Sequence, residues 1–177
     1  SNARFSLKDS NDNPVLGRID FCNESSCASI SADSSGLATG FIPDGTYQGI
    51  WVSPGNQVDL ARTRLSGSVT NGVVSITGKT AINGVFSVLV PTANIKFNVT
   101  HPTTSNAISS GYIDFQTADS NWNGGDHLAN ASIEGNLPGY ARAYLPDGRY
   151  LVTVNVFTDQ SGNEGLAGRT YRVTVTS

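Results

Sequence analysis

The chain has no methionine, two cysteines, two histidines and two tryptophans among its 177 residues. It also lacks any apolar run near the eighteen or so residues that a membrane-spanning helix needs, so we expect no membrane span in it. No stretch sustains a helical period, which excludes a helical bundle. Because methionine is absent, we expect the chain to be part of a longer parent protein, whose other domains would be its first partners.

A basic surface is missing as well. The fourteen acidic and eleven basic residues are interleaved and give a net charge of −3. Since no basic stripe could neutralise a phosphate backbone, we exclude nucleic acid as a partner. Few lysines, many Ser, Thr, Asn and Gly residues and a cysteine pair favour a secreted or cell-surface, extracytoplasmic protein.

Catalytic signatures are also missing. His127 lies beside Asp126, but no nucleophile elbow accompanies them, and a cleft for paired carboxylates is uncommon in small β-sandwiches. We therefore expect no enzymatic activity and no resident cofactor, with calcium as the one ion left to consider.

What the sequence does contain is a repeat. Residues 17–21 (GRIDF) return as residues 111–115 (GYIDF). Residues 41–47 (FIPDGTY) return as residues 144–150 (YLPDGRY). A third match in the same order relates residues 60–63 (LART) to residues 166–170 (LAGRT).

Three collinear matches predict two domains of similar fold on one chain. We place the first at residues 4–90 and the second at residues 91–177. Residues 1–3 (SNA) are typical of a cut affinity tag, and we exclude them from the fold. Each half is long enough to bury a core of its own.

Short runs rich in β-branched and aromatic residues predict strands throughout. Turn signals such as Asn71-Gly72 separate them, because both central residues of a tight hairpin turn must tolerate positive φ. Without helices to make crossovers, the pattern predicts an all-β chain of two tandem antiparallel β-sandwiches. The predicted strands are residues 4–7, 17–21, 47–52, 69–76, 85–90, 95–99, 112–115, 150–157 and 171–175.

The best-copied element is Pro-Asp-Gly followed by a tyrosine. Proline presets φ, aspartate can accept hydrogen bonds from nearby backbone, and glycine absorbs the end of the turn. We therefore interpret Asp44 and Asp147 as structural turn residues. The aromatic before each turn, Phe41 or Tyr144, could pack on the tyrosine that follows it.

Cys22 and Cys27 lie five positions apart after the first GxIDF strand. Two thiols provide only two of the four ligands that a structural zinc site needs. A redox pair normally has two intervening residues, whereas this pair has four. We predict a disulfide that closes a turn, which would imply an oxidising compartment and add about 2 kcal/mol of stability. Two free structural cysteines are the alternative.

The second half holds a polar stretch that resembles part of a calcium loop. Asp119, Asn121 and Asn123 alternate as oxygen donors before Gly124, and Asp126 could add a ligand. Asn130 stands where a bidentate Glu should be, so a solvated loop is the simpler interpretation.

Aromatic residues offer a second kind of ligand contact. Trp122 and His127 lie in the predicted polar loop and are candidate ligand contacts. The Trp122 ring could stack on a sugar, whereas Trp51 lies in an alternating strand and is expected in the core. A carbohydrate-binding module is therefore one alternative function, with a polysaccharide as partner. A calcium-stabilised spacer is another.

The succession of opening strand, polar loop, GxIDF strand and apolar-Pro-x-Gly-x-Tyr turn resembles the transthyretin-like, or prealbumin-like, sandwiches. These include carboxypeptidase regulatory-like domains and collagen-adhesin B-type repeats, and immunoglobulin-like sandwiches share much of the pattern. The resemblance implies a noncatalytic structural or adhesive module of a larger secreted or cell-surface protein. It would contact other domains of its parent protein or a surface protein.

Overall fold

A computed structural model describes every residue except 56, 58, 102, 134–138, 160–167 and 177. All regular structure in the described part of the chain is β, which confirms the predicted class. Its described residues contain no helix with the length and hydropathy of a membrane span. The strands are β1 (Ala3–Lys8), β2 (Gly17–Cys22), β3 (Cys27–Ala32), β4 (Leu37–Gly40), β5 (Gly45–Pro54), β6 (Thr63–Thr70), β7 (Val73–Ile76), β8 (Phe86–Leu89), β9 (Ile95–Asn98), β10 (Ile108–Ala118), β11 (Gly124–Ile133), β12 (Tyr140–Ala143), β13 (Gly148–Asp159) and β14 (Arg169–Val175).

Contacts divide the chain into two compact units, Ser1–Thr92 and Ala93–Ser177. The first unit contains one eight-stranded sheet in the order β7-β6-β5-β2-β3-β4-β1-β8. The second contains a four-stranded sheet, β11-β10-β13-β14, and a two-stranded sheet, β12-β9. Each unit has its own cluster of buried apolar residues. That each unit is an independent domain stays a prediction.

Four strand pairings of the first unit recur in the second. β2 lies between β3 and β5, and β10 lies between β11 and β13. β1 pairs with β4 as β9 pairs with β12, and β5 pairs with β6 as β13 pairs with β14. The sequence repeat at residues 17–21 and 111–115 is therefore also a repeat of sheet topology. In the third match, residues 166 and 167 lie outside the described residues.

The GxIDF strands supply the centre of each core. Ile19 and Phe21 on β2, like Ile113 and Phe115 on β10, are fully buried. Successive side chains of a strand point to opposite faces, so the intervening aspartates lie on the polar face. In the first unit the Phe5 and Phe21 rings lie 5.7 Å apart, which joins β1 to β2 across the core.

The Pro-Asp-Gly-x-Tyr element forms the same corner twice. The Tyr47 hydroxyl donates to the Pro43 carbonyl oxygen at 2.8 Å, and the Tyr150 hydroxyl donates to the Pro146 carbonyl oxygen at 2.7 Å. Burial, and secondarily the neighbouring aspartate, raises the pKa of both phenols. Each tyrosine therefore ties the start of a long strand to the turn before it.

The aromatics that precede these turns do not pack into the corner. Phe41 is 70% exposed and Tyr144 is 46% exposed. The expectation that they pack on the tyrosines that follow is wrong. Each tyrosine satisfies its hydroxyl on the backbone beneath it and lies inside the core, whereas the preceding aromatic projects outward.

Asp44 has a structural role in the first unit. Its carboxylate accepts hydrogen bonds from the backbone N–H groups of Asn71 and Gly72, both at 2.9 Å. It thereby holds the turn between β6 and β7. This turn also divides the predicted strand 69–76 in two, because Asn71 and Gly72 both have positive φ.

The predicted disulfide is present. Cys22 and Cys27 face each other at the end of the β2–β3 hairpin, and their sulfur atoms are bonded. A disulfide persists in an oxidising environment, which indicates an extracytoplasmic location.

Four strands were not predicted. β3, β4 and β12 are short and rich in Ala, Ser and Gly, and pairing with a neighbouring strand decides their conformation rather than local preference. The fourth, β11, occupies most of the stretch predicted as an inserted polar loop, so that loop prediction is wrong beyond residue 123. Pairing of β11 with β10 supplies the hydrogen bonds that its polar sequence does not suggest.

The exclusion of residues 1–3 from the fold is also wrong. Ala3 begins β1 and is fully buried. The Asn2 side chain donates to the Ile42 carbonyl oxygen and accepts from the Ile42 N–H, both at 2.8 Å. Asn94 makes the same pair of bonds with Leu145 in the second unit, at 2.7 and 2.9 Å. The assignment of residues 1–3 to a tag stays a prediction.

Replacing Asn94 with alanine tests this side-chain clamp. We expect N94A to lower the free energy of unfolding by about 1 to 3 kcal/mol, because the Leu145 N–H and C=O lose their partner. N121A is the control, since Asn121 is exposed and bonds through its backbone N–H. Urea unfolding measures both variants, and equal stability of N94A and N121A would contradict the clamp.

Candidate functional site

The predicted calcium stretch begins as a closed turn between β10 and β11. Asp119 Oδ1 accepts from the backbone N–H groups of Asn121 and Asn123, at 2.8 and 2.9 Å. Asp119 Oδ2 accepts from the Asn123 side-chain amide at 2.9 Å. Both carboxylate oxygens are therefore engaged inside the turn.

The same turn occurs in the first unit at residues 9–13. There Asp9 accepts from the N–H groups of Asn11 and Asn13 and from the Asn13 amide, at 2.8, 2.9 and 3.0 Å. The fourth residue has positive φ in both turns, 65° for Asp12 and 64° for Trp122. The sequence signal is Asp-Ser-Asn-x-Asn, which occurs twice and which sequence reasoning missed.

Hydrogen bonds within the turn favour the ionised form of Asp119. The Asn123 side chain and then the Asn123 N–H lower the pKa of Asp119, with a smaller contribution from the positive charge of Arg149. Asp126, the fourth predicted ligand, lies in β11 instead of in the turn. Among the described residues, no three His, Cys, Asp or Glu side chains form a group that could hold a metal ion.

Trp122 lies between two arginines. Its ring centroid is 5.8 Å from Arg149 Cζ and 5.6 Å from Arg172 Cζ. Arg149 comes from β13 and Arg172 from β14, on the face opposite the buried side chains. The Asp119 turn therefore holds a half-buried indole against a positively charged part of the sheet.

The first unit builds a similar cluster from different positions. Trp51 lies on β5, and its ring centroid is 4.5 Å from Arg62 Cζ and 5.3 Å from Arg64 Cζ. Burial lowers the pKa of Arg62, and the charge of Asp20 partly offsets this. The expectation that Trp51 belongs to the core is wrong, because it is half-buried beside Asp20 on the polar face. Strand alternation alone did not distinguish the two faces.

His127, predicted as a ligand contact, lies on β11 beside the GxIDF aspartate of the second unit. His127 Nε2 is 3.1 Å from Asp114 Oδ1, and Asn155 Nδ2 donates to Asp114 Oδ2 at 3.1 Å. In the first unit Asp20 takes the equivalent position and accepts from Arg18 and from the Ser29 hydroxyl. In both units this aspartate joins side chains of neighbouring positions on the polar face. The structure does not bring His127 and Trp122 together in any described contact.

No protein-family model matches the chain. No curated protein matches it either. Solved structures similar to it include the following two. The Bacillus anthracis TIE protein is 14% identical with a TM-score of 0.34, over 97% of this chain and 30% of that one. A DUF3823 family protein from Bacteroides ovatus is 11% identical with a TM-score of 0.27, over 98% of this chain and 99% of that one.

The chain thus spans about a third of the Bacillus anthracis protein. Both TM-scores are too low for a shared fold to follow from them. The resemblance to transthyretin-like sandwiches stays a prediction.

Proposed function

We propose that this chain is a noncatalytic structural or adhesive module of a larger secreted or cell-surface protein. The observation that supports the proposal is that the repeated polar residues have structural roles. In both units, the GxIDF aspartate bonds a side chain on the neighbouring strand, and the tyrosine after the Pro-Asp-Gly turn bonds the turn backbone from within the core. The disulfide supports the extracytoplasmic location. Partners of such a module are other domains of its parent protein and a surface protein or polysaccharide.

The Asp114–His127 pair provides the sharpest test of the noncatalytic part. We expect D114A and H127A each to destabilise the second unit by about 1 kcal/mol and to be coupled in a double-mutant cycle, because each removes one end of the hydrogen bond. Urea unfolding measures the coupling. Hydrolysis of ester or glycoside substrates by the parent chain, abolished in both variants while they remain folded, would overturn the proposal.

The same proposal predicts that calcium does not support the fold. We expect the melting temperature to be equal in millimolar calcium and in chelator, since the Asp119 carboxylate is already bonded within its turn. A site filled at ten times its Kd would instead add about 1.4 kcal/mol.

Asp9 supplies a matched control for this measurement because its turn has the same bonds. We expect D9A and D119A to lower the melting temperature of the chain whether or not calcium is present. A calcium-dependent rise that D119A abolishes and D9A preserves would establish the calcium-stabilised spacer instead.

The Trp122 cluster favours carbohydrate binding as a second candidate function. An indole beside two guanidinium groups combines an aromatic stacking surface with positive charge. This combination suits an acidic polysaccharide better than a neutral one, because the arginines can pair with uronate carboxylates.

Tryptophan fluorescence tests this candidate. We expect polygalacturonate to quench the emission and dextran to leave it unchanged, with the quenching weakened by salt. R149A/R172A should weaken binding about tenfold or more, since two charge-assisted bonds are lost. R62A/R64A, which alters the cluster around Trp51, is the matched control. Equal loss in both double variants, or no response to either polysaccharide, would count against a site at Trp122.

A further inference from the structure

An apolar groove opens along one side of the second unit. β9 forms one wall and the inner faces of β13 and β14 form the other, around a volume of about 690 Å³. Among the described strands, β9 pairs with β12 alone and β14 pairs with β13 alone. The lining is apolar at Phe97, Val99, Val154, Val156, Tyr171 and Val173, and it carries positive charge at Arg169 and Arg172.

The corresponding place in the first unit is filled by a strand. There β8 pairs with β1 in parallel, with Phe86 opposite Phe5 and Val88 opposite Leu7. The Phe5 and Phe86 rings stack with centroids 5.4 Å apart. Phe86, Val88 and the following Val90 are all buried, so alternate residues of this strand enter the core.

Equivalent hydrogen bonds align β9 with β1 residue by residue. The Leu7 N–H donates to the Gly36 carbonyl oxygen, as the Val99 N–H donates to the Gly139 carbonyl oxygen. Phe97 therefore corresponds to Phe5. The four residues that pair with β8 in the first unit, 5–8, correspond to residues 97–100, and all four of these line the groove.

Burial shows what the covering strand contributes. Phe5 and Leu7 are fully buried beneath β8 in the first unit, whereas Phe97 and Val99 are half-buried. Tyr171 is 50% exposed at the opposite lip of the groove. The second unit therefore presents an apolar strip of the kind that the first unit covers with one of its own strands.

We propose that this groove binds an extended apolar strand of a partner polypeptide, which adds to β9 in parallel as β8 adds to β1. Strand addition supplies backbone hydrogen bonds along β9, and alternate side chains supply specificity in the groove. The structure of β8 defines the chemistry of the ligand: an aromatic residue that stacks on Phe97, then a β-branched residue two positions later above Val99. A helix or a lipid chain would not provide the backbone partners that a strand edge requires.

A peptide copied from the chain itself is the probe. Its sequence is that of residues 84–91 (GVFSVLVP), with blocked ends and an added lysine tail for solubility. The control peptide carries lysine at the positions of Phe86 and Val88. We expect calorimetry to detect binding of the first peptide to the full chain and none of the second, because the control places positive charge against apolar side chains and beside Arg169.

Hydrogen exchange identifies where the peptide binds. We expect increased protection of the Asn98 and Thr100 amides, because these alternate N–H groups face away from β12, and unchanged exchange at residues 5–8. Protection changes confined to residues 5–8 would mean that the peptide replaces β8 in the first unit, and would overturn the proposal.

A matched pair of tyrosine variants tests the groove directly. Y171D should weaken the peptide about tenfold, since it places a carboxylate at the lip of the apolar strip. Y144D should bind like the parent chain, because Tyr144 is similarly exposed but lies outside the groove. Thermal melts show whether each variant is folded.

Three further results would overturn the assignment. The first is absence of binding at millimolar peptide, and the second is equal binding of both peptides. The third is a concentration-dependent dimer that protects residues 97–100 without peptide, because the occupant would then be a second copy of this chain.

Discussion

Antiparallel pairing about the central strands β2 and β10 is the constraint on which the rest of the structure depends. These strands place Ile and Phe in the core and an aspartate on the opposite face. Each central strand is paired on both edges, so its alternating sequence also fixes which faces of its two neighbours point into the core. Core, polar face and turn positions follow from that choice.

Several aspartates, the residues that most readily suggest a catalytic or metal site in the sequence, hold turns in the structure. Asp9 and Asp119 close Asp-Ser-Asn-x-Asn turns, and Asp44 holds the turn at Asn71 and Gly72. Each carboxylate satisfies backbone N–H groups that have no strand partner, which is the usual role of aspartate in a turn. The surfaces proposed for recognition are the cluster of Trp122 with Arg149 and Arg172, which the Asp119 turn presents, and the groove beside β9.

Two units with one pairing scheme differ at their edges and outer faces. The first unit adds β7 and β8 to the shared strands, and β8 covers Phe5 and Leu7. In the second unit the equivalent positions line an open groove among the described residues. The tryptophan of the first unit comes from β5, and that of the second comes from a turn. Recognition is thus proposed at the edges and outer faces, where the two units differ. Stability comes from the strand pairings and buried residues that the two units have in common.

The sequence by itself determined the all-β class, the repeat, the Pro-Asp-Gly corners and the Cys22–Cys27 bond, because these depend on alternation, on turn preferences and on residues close in sequence. Only the tertiary structure decided that Trp51 lies on the polar face, that residues 124–133 form a strand and that no described strand covers the groove beside β9. Alternation defines two faces without saying which is inside. Which edge is covered depends on strands distant in sequence, and no local pattern records that.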